Sequence, residues 1–497
     1  MMKRRSVLAH SASLAALATL PAAALAQGRK DAIVLAMTLE PSPGLDPTGG
    51  AASSIAEITH YNIYEALTKI NPDGSVTPLL AESWEVSPDL TTYTFRLRKG
   101  IKFHNGEPFN AQAVKFSFDR AASEKSTNKD KRTFANLTTR AVDDYTVVIL
   151  TKEIDPDFPF LLGQATAAIV EPKSADTNMT KPVGTGPYVL DNWVKGSSIS
   201  LKKWDGYRNA AAIRIQRATF RFIQDPAAQV AAMMAGDVDV FPRITPRSVE
   251  QFKGNPRFQV IVSGSRAKTI LAINNARKPF NDVRVRRAIA AAIDRKAVIQ
   301  GGADGYGAAI GSHYPPSAPG YVDTTAVNPY NPDHARALLK EAGVTTPLEV
   351  TITLPPTPYA RQGGEVIAAQ LAKVGITAKL QNVEWAQWLS NVYGAKNYDM
   401  TIISHVEPFD LGNFAKPDYY WSYHSPKFDE LYGKYKTTAN PKDRTKILGE
   451  LQRLIAEDSV HAFLYQPQWV TVANKNVRGL WKDMPIFVND LSAMYWA

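Results

Sequence analysis

"NPDHARALLKEAGVTTPLEVTITLPPTPYARQGGEVIAAQLAKVGITAKLQNVEWAQWLSNVYGAKNYDMTIIS", Asn331 to Ser404, carries two alternating periodicities, and they decide the fold class. Asn331 is placed to cap a helix with Pro332 at its first position. Ala335, Leu338, Leu339 and Ala342 fall on one face, and Gly343 supplies the stop. Strand-like runs follow at Leu348–Leu354, Ile376–Val383 and Tyr398–Ser404, separated by helical patterns near Arg361–Val374 and over "EWAQWLSNVY". Strands alternating with helices predict an α/β domain with a largely parallel sheet.

Ligands of such sheets sit beyond the carboxyl ends of strands, where loops leave for the next helix. Two segments meet that condition: "LPPTPYARQ" after the first strand and "SHVEPFDLGNF", Ser404–Phe414, after the third. Toward the amino terminus the pattern changes. "SWEVSPDLTTYTFRLRKGIKF" alternates around a turn at Ser87-Pro88-Asp89 and reads as a β-hairpin; "VDDYTVVILTK" reads as a further strand. The polar stretch Ala122–Thr133 is expected to be an exposed loop. There is no internal repeat, and 497 residues imply two or three domains.

The first residues, "MMKRRSVLAHSASLAALATLPAAALAQ", combine a basic head, an apolar middle and Ala24-Leu25-Ala26 before Gln27, the pattern of a cleavable secretory signal over residues 1–26. An uncleaved anchor is the other reading. Arg4-Arg5 leaves both the Sec and the twin-arginine route open. No cysteine occurs, so disulfides contribute nothing and the cysteine of a lipoprotein anchor is missing. A periplasmic location is expected. The net charge of +10 includes Lys3, Arg4 and Arg5 of the signal, and no dense basic block suggests nucleic acid.

Signatures of common hydrolases and nucleotide enzymes, G-x-S-x-G, H-E-x-x-H and G-x-x-x-x-G-K-[ST], are absent, and "GYGAAIG" (Gly305–Gly311) lacks dinucleotide-loop spacing. We expect no enzyme and no cofactor. His405 beside Glu407 could ligate a metal, but a histidine next to a carboxylate also serves as a hydrogen-bonded structural residue, and no metal is expected. Trp385 and Trp388 share a helix face, open to core packing or ligand contact. Tyr419, Tyr420, Trp421 and Tyr423 crowd a loop-like stretch and are candidates for pocket lining.

Several long stretches then coincide in order: Leu80–Arg120, "VGTGPYVL" (Val183–Leu190), "AAMMAGDVDVF" (Ala231–Phe241), "LAINNARKPFNDVRVRRAIAAAIDRKAVI" (Leu271–Ile299) and "YNPDHARALLKEAG". Together they resemble the extracytoplasmic solute-binding proteins of peptide and nickel ABC importers. The resemblance implies a two-lobed periplasmic binding protein with a hinge and a third, smaller inserted domain. On this chain lobe I would comprise 27–66, 182–268 and 482–497, the inserted domain 67–181 and lobe II 269–481. In "FNDVRVRRAIAAAIDR", Asn281 or Asp282 can cap a helix whose Arg284, Arg286 and Arg287 point outward.

Peptide-binding relatives carry a pattern like G-W-x-x-D-y-P-D-P-x-N-F whose first Asp holds the ligand's amino terminus. Matching Asn413-Phe414 to its end and Ser404-His405 to its start, with one deletion, places Glu407 at that Asp and Asp410 at the second. Either could be the clamp, and His405 stands where the pattern has Trp. Dipeptide binders also place an Arg before a Tyr in the loop matched by "PPTPYAR". Tyr359 fits the Tyr, Thr357 stands at the Arg, and Arg361 follows two residues after the Tyr. The resemblance therefore implies ligand contacts from Glu407, Asp410, His405, Tyr359 and Arg361, joined by Trp385, Trp421 and Tyr420 from the aromatic reading. The implied function is capture of a peptide or peptide-like solute by a monomeric receptor that delivers it to a membrane permease. A nickel chelate, opine or glycoside receptor, a secreted hydrolase and a periplasmic chaperone are the alternatives.

Overall fold

The computed structural model describes residues 31–497; the expected signal segment lies outside the described residues. The helix expected after Asn331 spans Pro332–Glu341. The Asn331 side chain accepts from the His334 amide at 2.9 Å, Ala335, Leu338 and Leu339 are buried, and Gly343 takes the left-handed conformation at φ +72°. Strands Leu348–Leu354, Ile376–Asn382 and Met400–His405 follow as read, with helix Pro358–Ala372 between the first two. These three strands are parallel, in the order 376, 348, 400. The sheet then turns antiparallel: Lys268–Ile273 pairs with Met400–His405 on one side and with His461–Asn474 on the other. It is a mixed sheet, because the chain enters it from the far body and not through a crossover helix.

One strand carries the architecture. His461–Asn474, 14 residues long, pairs through its first half with Lys268–Ile273 and through its second with Phe258–Gly264 and Val240–Phe241. Beyond Val240–Phe241 lie Ala32–Met37, Arg217–Phe222, Ser198–Lys203 and Tyr188–Val194. Two chain segments thus pass side by side between the lobes, at 264–268 and near 465–469, and the Ser265 hydroxyl ties them by donating to the Pro467 carbonyl at 2.6 Å.

Separate apolar cores keep the bodies distinct. Leu271, Ile289, Leu339, Ile352 and Ile402 pack in one lobe; Leu35, Tyr188, Phe220 and Val240 pack in the other. A third core, with Phe95, Phe103, Val114 and Ile149, lies under the antiparallel sheet Ala81–Val86, Thr92–Leu97, Thr146–Thr151, Leu137–Asp143, which contains the hairpin read from the sequence. Each fully buried large apolar side chain contributes about 1.5–3 kcal/mol, so each body has an apolar core of its own.

Two expectations change. Arg286 does not face outward: it is buried, and its guanidinium donates to the carbonyls of Phe280 and Asp458, both at 2.9 Å, tying the helix Val283–Ala291 to the end of another. Helical periodicity alone placed it on the polar face, but a neighbouring helix end covers that face. The stretch 122–133 is only partly an exposed loop: Lys131–Phe134 is helical, and buried Asn128 donates to the Thr166 carbonyl at 2.9 Å.

Candidate functional site

Where the two segments pass between the lobes, a cavity of about 630 Å³ opens. Its floor is Arg266, Ala267 and Trp469 from the crossing. Val406, Glu407 and Pro408 border it from one lobe, and Pro47 to Ala56 with Met484 to Phe487 from the other. Lys129, Asp130 and Gln164 to Thr166 come from the third body. Trp469 and Phe487 stack at 5.2 Å to form an aromatic wall, steadied by Arg243, whose guanidinium carbon lies 5.3 and 5.2 Å from their ring centres and which is ion-paired with Glu57. A volume in this range, apolar walls and a few charges suit a small organic solute.

Of the two carboxylates in "SHVEPFDLGNF", the structure presents one to this space. Glu407 borders the cavity with its side chain 64% exposed, and its polar contact with His405, Nδ1 to Oε2 3.7 Å, holds the carboxyl below its ordinary range. Asp410, 6% exposed, sits behind it. Lys268 Nζ donates to Asp410 Oδ1 at 2.7 Å, and His313 Nε2 lies 2.9 Å from Oδ2. Burial opposes its ionisation, yet His313 and Lys268 outweigh burial and hold Asp410 far below the usual range. Its charge is spent inside the protein. The same Lys268 ammonium donates to the Glu407 carbonyl at 2.6 Å, so the buried pair fixes the backbone of the residue that faces the cavity.

The other expected residues divide by depth. His405 is buried, its Nε2 2.9 Å from the Tyr420 hydroxyl. Tyr420 and Trp421, expected in the pocket lining, are 1% and 0% exposed; Trp421 packs on Phe414 at 4.6 Å and His461 at 4.8 Å between ring centres. Local aromatic density signalled a core cluster here, because the rings cover one another more completely than a solute could. Tyr359 accepts the Ser404 amide at 3.1 Å, and Arg361 lies 3.5 Å from Glu384; neither borders the cavity. Trp385 is 42% exposed and also lies off the cavity, while its partner Trp388 is buried and donates to Thr401 Oγ1 at 2.9 Å. The "LPPTPYARQ" loop is held away because it leaves a strand one position farther from the crossing.

Arg266, Trp469 and Phe487 escaped sequence reasoning. Arg266 lies in the crossing segment, Trp469 in the strand His461–Asn474 and Phe487 in the C-terminal tail; none carries a composition signal, and they converge only because the chain crosses between lobes twice. Among the described residues, His313, His405 and Asp410 form a group that could in geometry hold a cation, with one ligand atom from each within 4.8 Å of the others. The Lys268 ammonium already occupies the Asp410 side of that group, and its positive charge disfavours a divalent ion there. No helix of the described residues is long and apolar enough to cross a membrane.

Comparison with known proteins places this geometry. The family model "Bacterial extracellular solute-binding proteins, family 5 Middle" matches residues 75–427. Di/tripeptide-binding protein 1 of Pseudomonas aeruginosa (strain UCBPP-PA14) is 26% identical, with 95% of this chain and 96% of that protein covered. The structure of HbpA2 from Haemophilus parasuis superposes with a TM-score of 0.86 at 23% identity over 94% of this chain and 100% of that one. The periplasmic binding protein DppA from Helicobacter pylori, in complex with the peptide STSA, gives 0.73 at 26% identity over 94% and 98%. The relatives matched are binding proteins, not enzymes, and the chain belongs to the family 5 bacterial extracellular solute-binding proteins.

Proposed function

We propose that this chain is the periplasmic receptor of an ABC importer, that it captures a peptide or peptide-like solute in the interlobe cavity, and that it delivers the solute to the membrane permease as a monomer. The observation that carries the reading is the pair of carboxylates at 407 and 410: one is neutralised inside the protein, and the other stands exposed at the cavity border. A carboxylate in a partly dry cleft meets an ammonium with a charge-assisted hydrogen bond, a strong and directional contact. Over the described residues the moving bodies would be the part of 27–66 from residue 31 on, with 182–268 and 482–497, on one side and 269–481 on the other, with 67–181 inserted in the first. Closure about the segments 264–268 and 465–469 would bury the solute against Trp469 and Phe487, and the closed form would be what the permease reads. The peptide class is supported by the di/tripeptide-binding relative and by the DppA complex with the peptide STSA.

The test is native mass spectrometry of protein purified from a periplasm without denaturation. The expected result is a set of short-peptide masses released on unfolding and lost from Glu407→Gln, while Asp410→Asn changes stability first. A single non-peptide mass, or peptide retention unaffected by Glu407→Gln, would overturn the reading.

A further inference from the structure

The crossing segment carries a cation with no ion-pair partner within 4 Å among the described residues; Asp157 acts on it only from farther away. Arg266 is 6% exposed, and among the described residues neither its Nε nor its Nη2 has a hydrogen-bond acceptor. Its guanidinium carbon lies 4.2 Å from the centre of the Phe160 ring and 4.7 Å from that of Phe409, and these two rings meet edge to face at 4.9 Å. Ring faces attract a cation, but they offer no oxygen to its N–H groups. Burial lowers the Arg266 pKa to about 10, with Tyr314 and Asp157 acting in the opposite sense, so the group is cationic at neutral pH. A buried charge with open donors is costly unless something complements it.

Arg266 borders the same cavity as Glu407. Phe409, which helps to hold it, sits two residues after Glu407 in the left-handed conformation at φ +54°, a strained geometry for an aromatic residue that tends to persist at ligand sites. Lys129 is a second cation on the cavity, but it is exposed and solvated, whereas a guanidinium held between rings is a fixed planar fork.

We propose that Arg266 forms an anion subsite of the interlobe cavity and takes a carboxylate of the solute, while Glu407 takes its ammonium. This rests on the function proposed above and narrows its solute class to zwitterions that present a free carboxylate away from the amine. It also supplies a cationic partner for a peptide's carboxyl end in a chain where Thr357 stands at the position that dipeptide binders fill with Arg.

The experiment is calorimetric titration of the full protein with a library of free-acid tripeptides and with the same sequences as C-terminal amides. A bidentate charge-assisted contact predicts acids bound about ten- to a hundredfold more tightly than amides. Arg266→Met should bind the two forms equally, and Arg266→Lys should keep part of the preference. The acid-to-amide ratio in the unmutated protein needs no variant to fold. Equal affinity for acids and amides there would overturn the anion subsite and leave the peptide reading standing. Failure to bind either form would overturn both.

Discussion

Replacing Lys268 by methionine keeps the length of an apolar stem and removes one buried ammonium. That ammonium, 2% exposed, makes two short contacts: 2.7 Å to Asp410 Oδ1 and 2.6 Å to the Glu407 carbonyl. Breaking a buried ion pair from one side costs about 3–5 kcal/mol, because the remaining charge stays desolvated. Here the cost should depend on pH. His313, held neutral by burial with its pKa at about 4, faces Asp410 from the other side, and Lys268 is one of the charges that keep it low. Without Lys268 the His313 pKa rises, so at pH 5 its imidazolium can replace the lost cation, whereas at pH 8 it cannot. The full cost should therefore appear at pH 8 and shrink toward pH 5. The assay is urea and thermal unfolding of Lys268→Met and Lys268→Met/Asp410→Leu at both pH values. The double variant should recover most of the loss, since replacing both members of a buried pair by apolar groups is often neutral. A loss under about 1 kcal/mol that is the same at both pH values would refute the buried-pair argument.

Other outcomes follow from single side chains. Burial and then Asp155 push Asp157 up from 3.8 to about 7, while Tyr435 donates to it at 3.2 Å. The folded protein holds this proton more tightly than the unfolded chain, so the contribution of Asp157 is fully present below pH 4 and is lost as pH rises through 7, with a slope of at most about 1.4 kcal/mol per pH unit. Asp157→Asn should flatten that part of a melting-temperature profile taken from pH 4 to 8. Gly184→Ala would place a methyl group 2.0 Å from the Ile63 carbonyl oxygen; backbone cannot yield cheaply there, and a loss of about 1–3 kcal/mol is expected in denaturant unfolding. Trp421→Ala should cost about 3–5 kcal/mol in the same measurement, and its effect on solute affinity should be smaller than that of Glu407→Gln, as befits a core residue.

How much was legible in advance depended on the range over which each signal acts. Asn331, Pro332 and Gly343 fixed a helix by contacts within one turn, and the period-two runs fixed four strands and a hairpin, because capping and face periodicity are local properties of the chain. The order of motifs along the sequence carried the family and hence the two-lobed fold. That part of the loop Ser404–Phe414 borders the interlobe cavity was legible because the loop follows a strand at its carboxyl end.

Burial was decided elsewhere. Nothing within ten residues of Asp410 foretells that Lys268 and His313, 142 and 97 residues away, will consume its charge, or that Glu407 will be left facing the cavity. Tyr420 and Trp421 looked like a pocket wall because local density cannot distinguish rings that cover one another from rings that await a solute. Arg286 looked exposed because the carbonyls that receive it come from another element. Arg266 carried no signal at all. Its lack of an ion-pair partner at contact distance is a property of the space between lobes, and that space exists only after the strand His461–Asn474 has paired with both. The sequence alone determined the elements, their order and the family. The tertiary structure decided which charges are neutralised and which remain for a ligand, because neutralisation needs partners that only long-range folding brings within 3 Å.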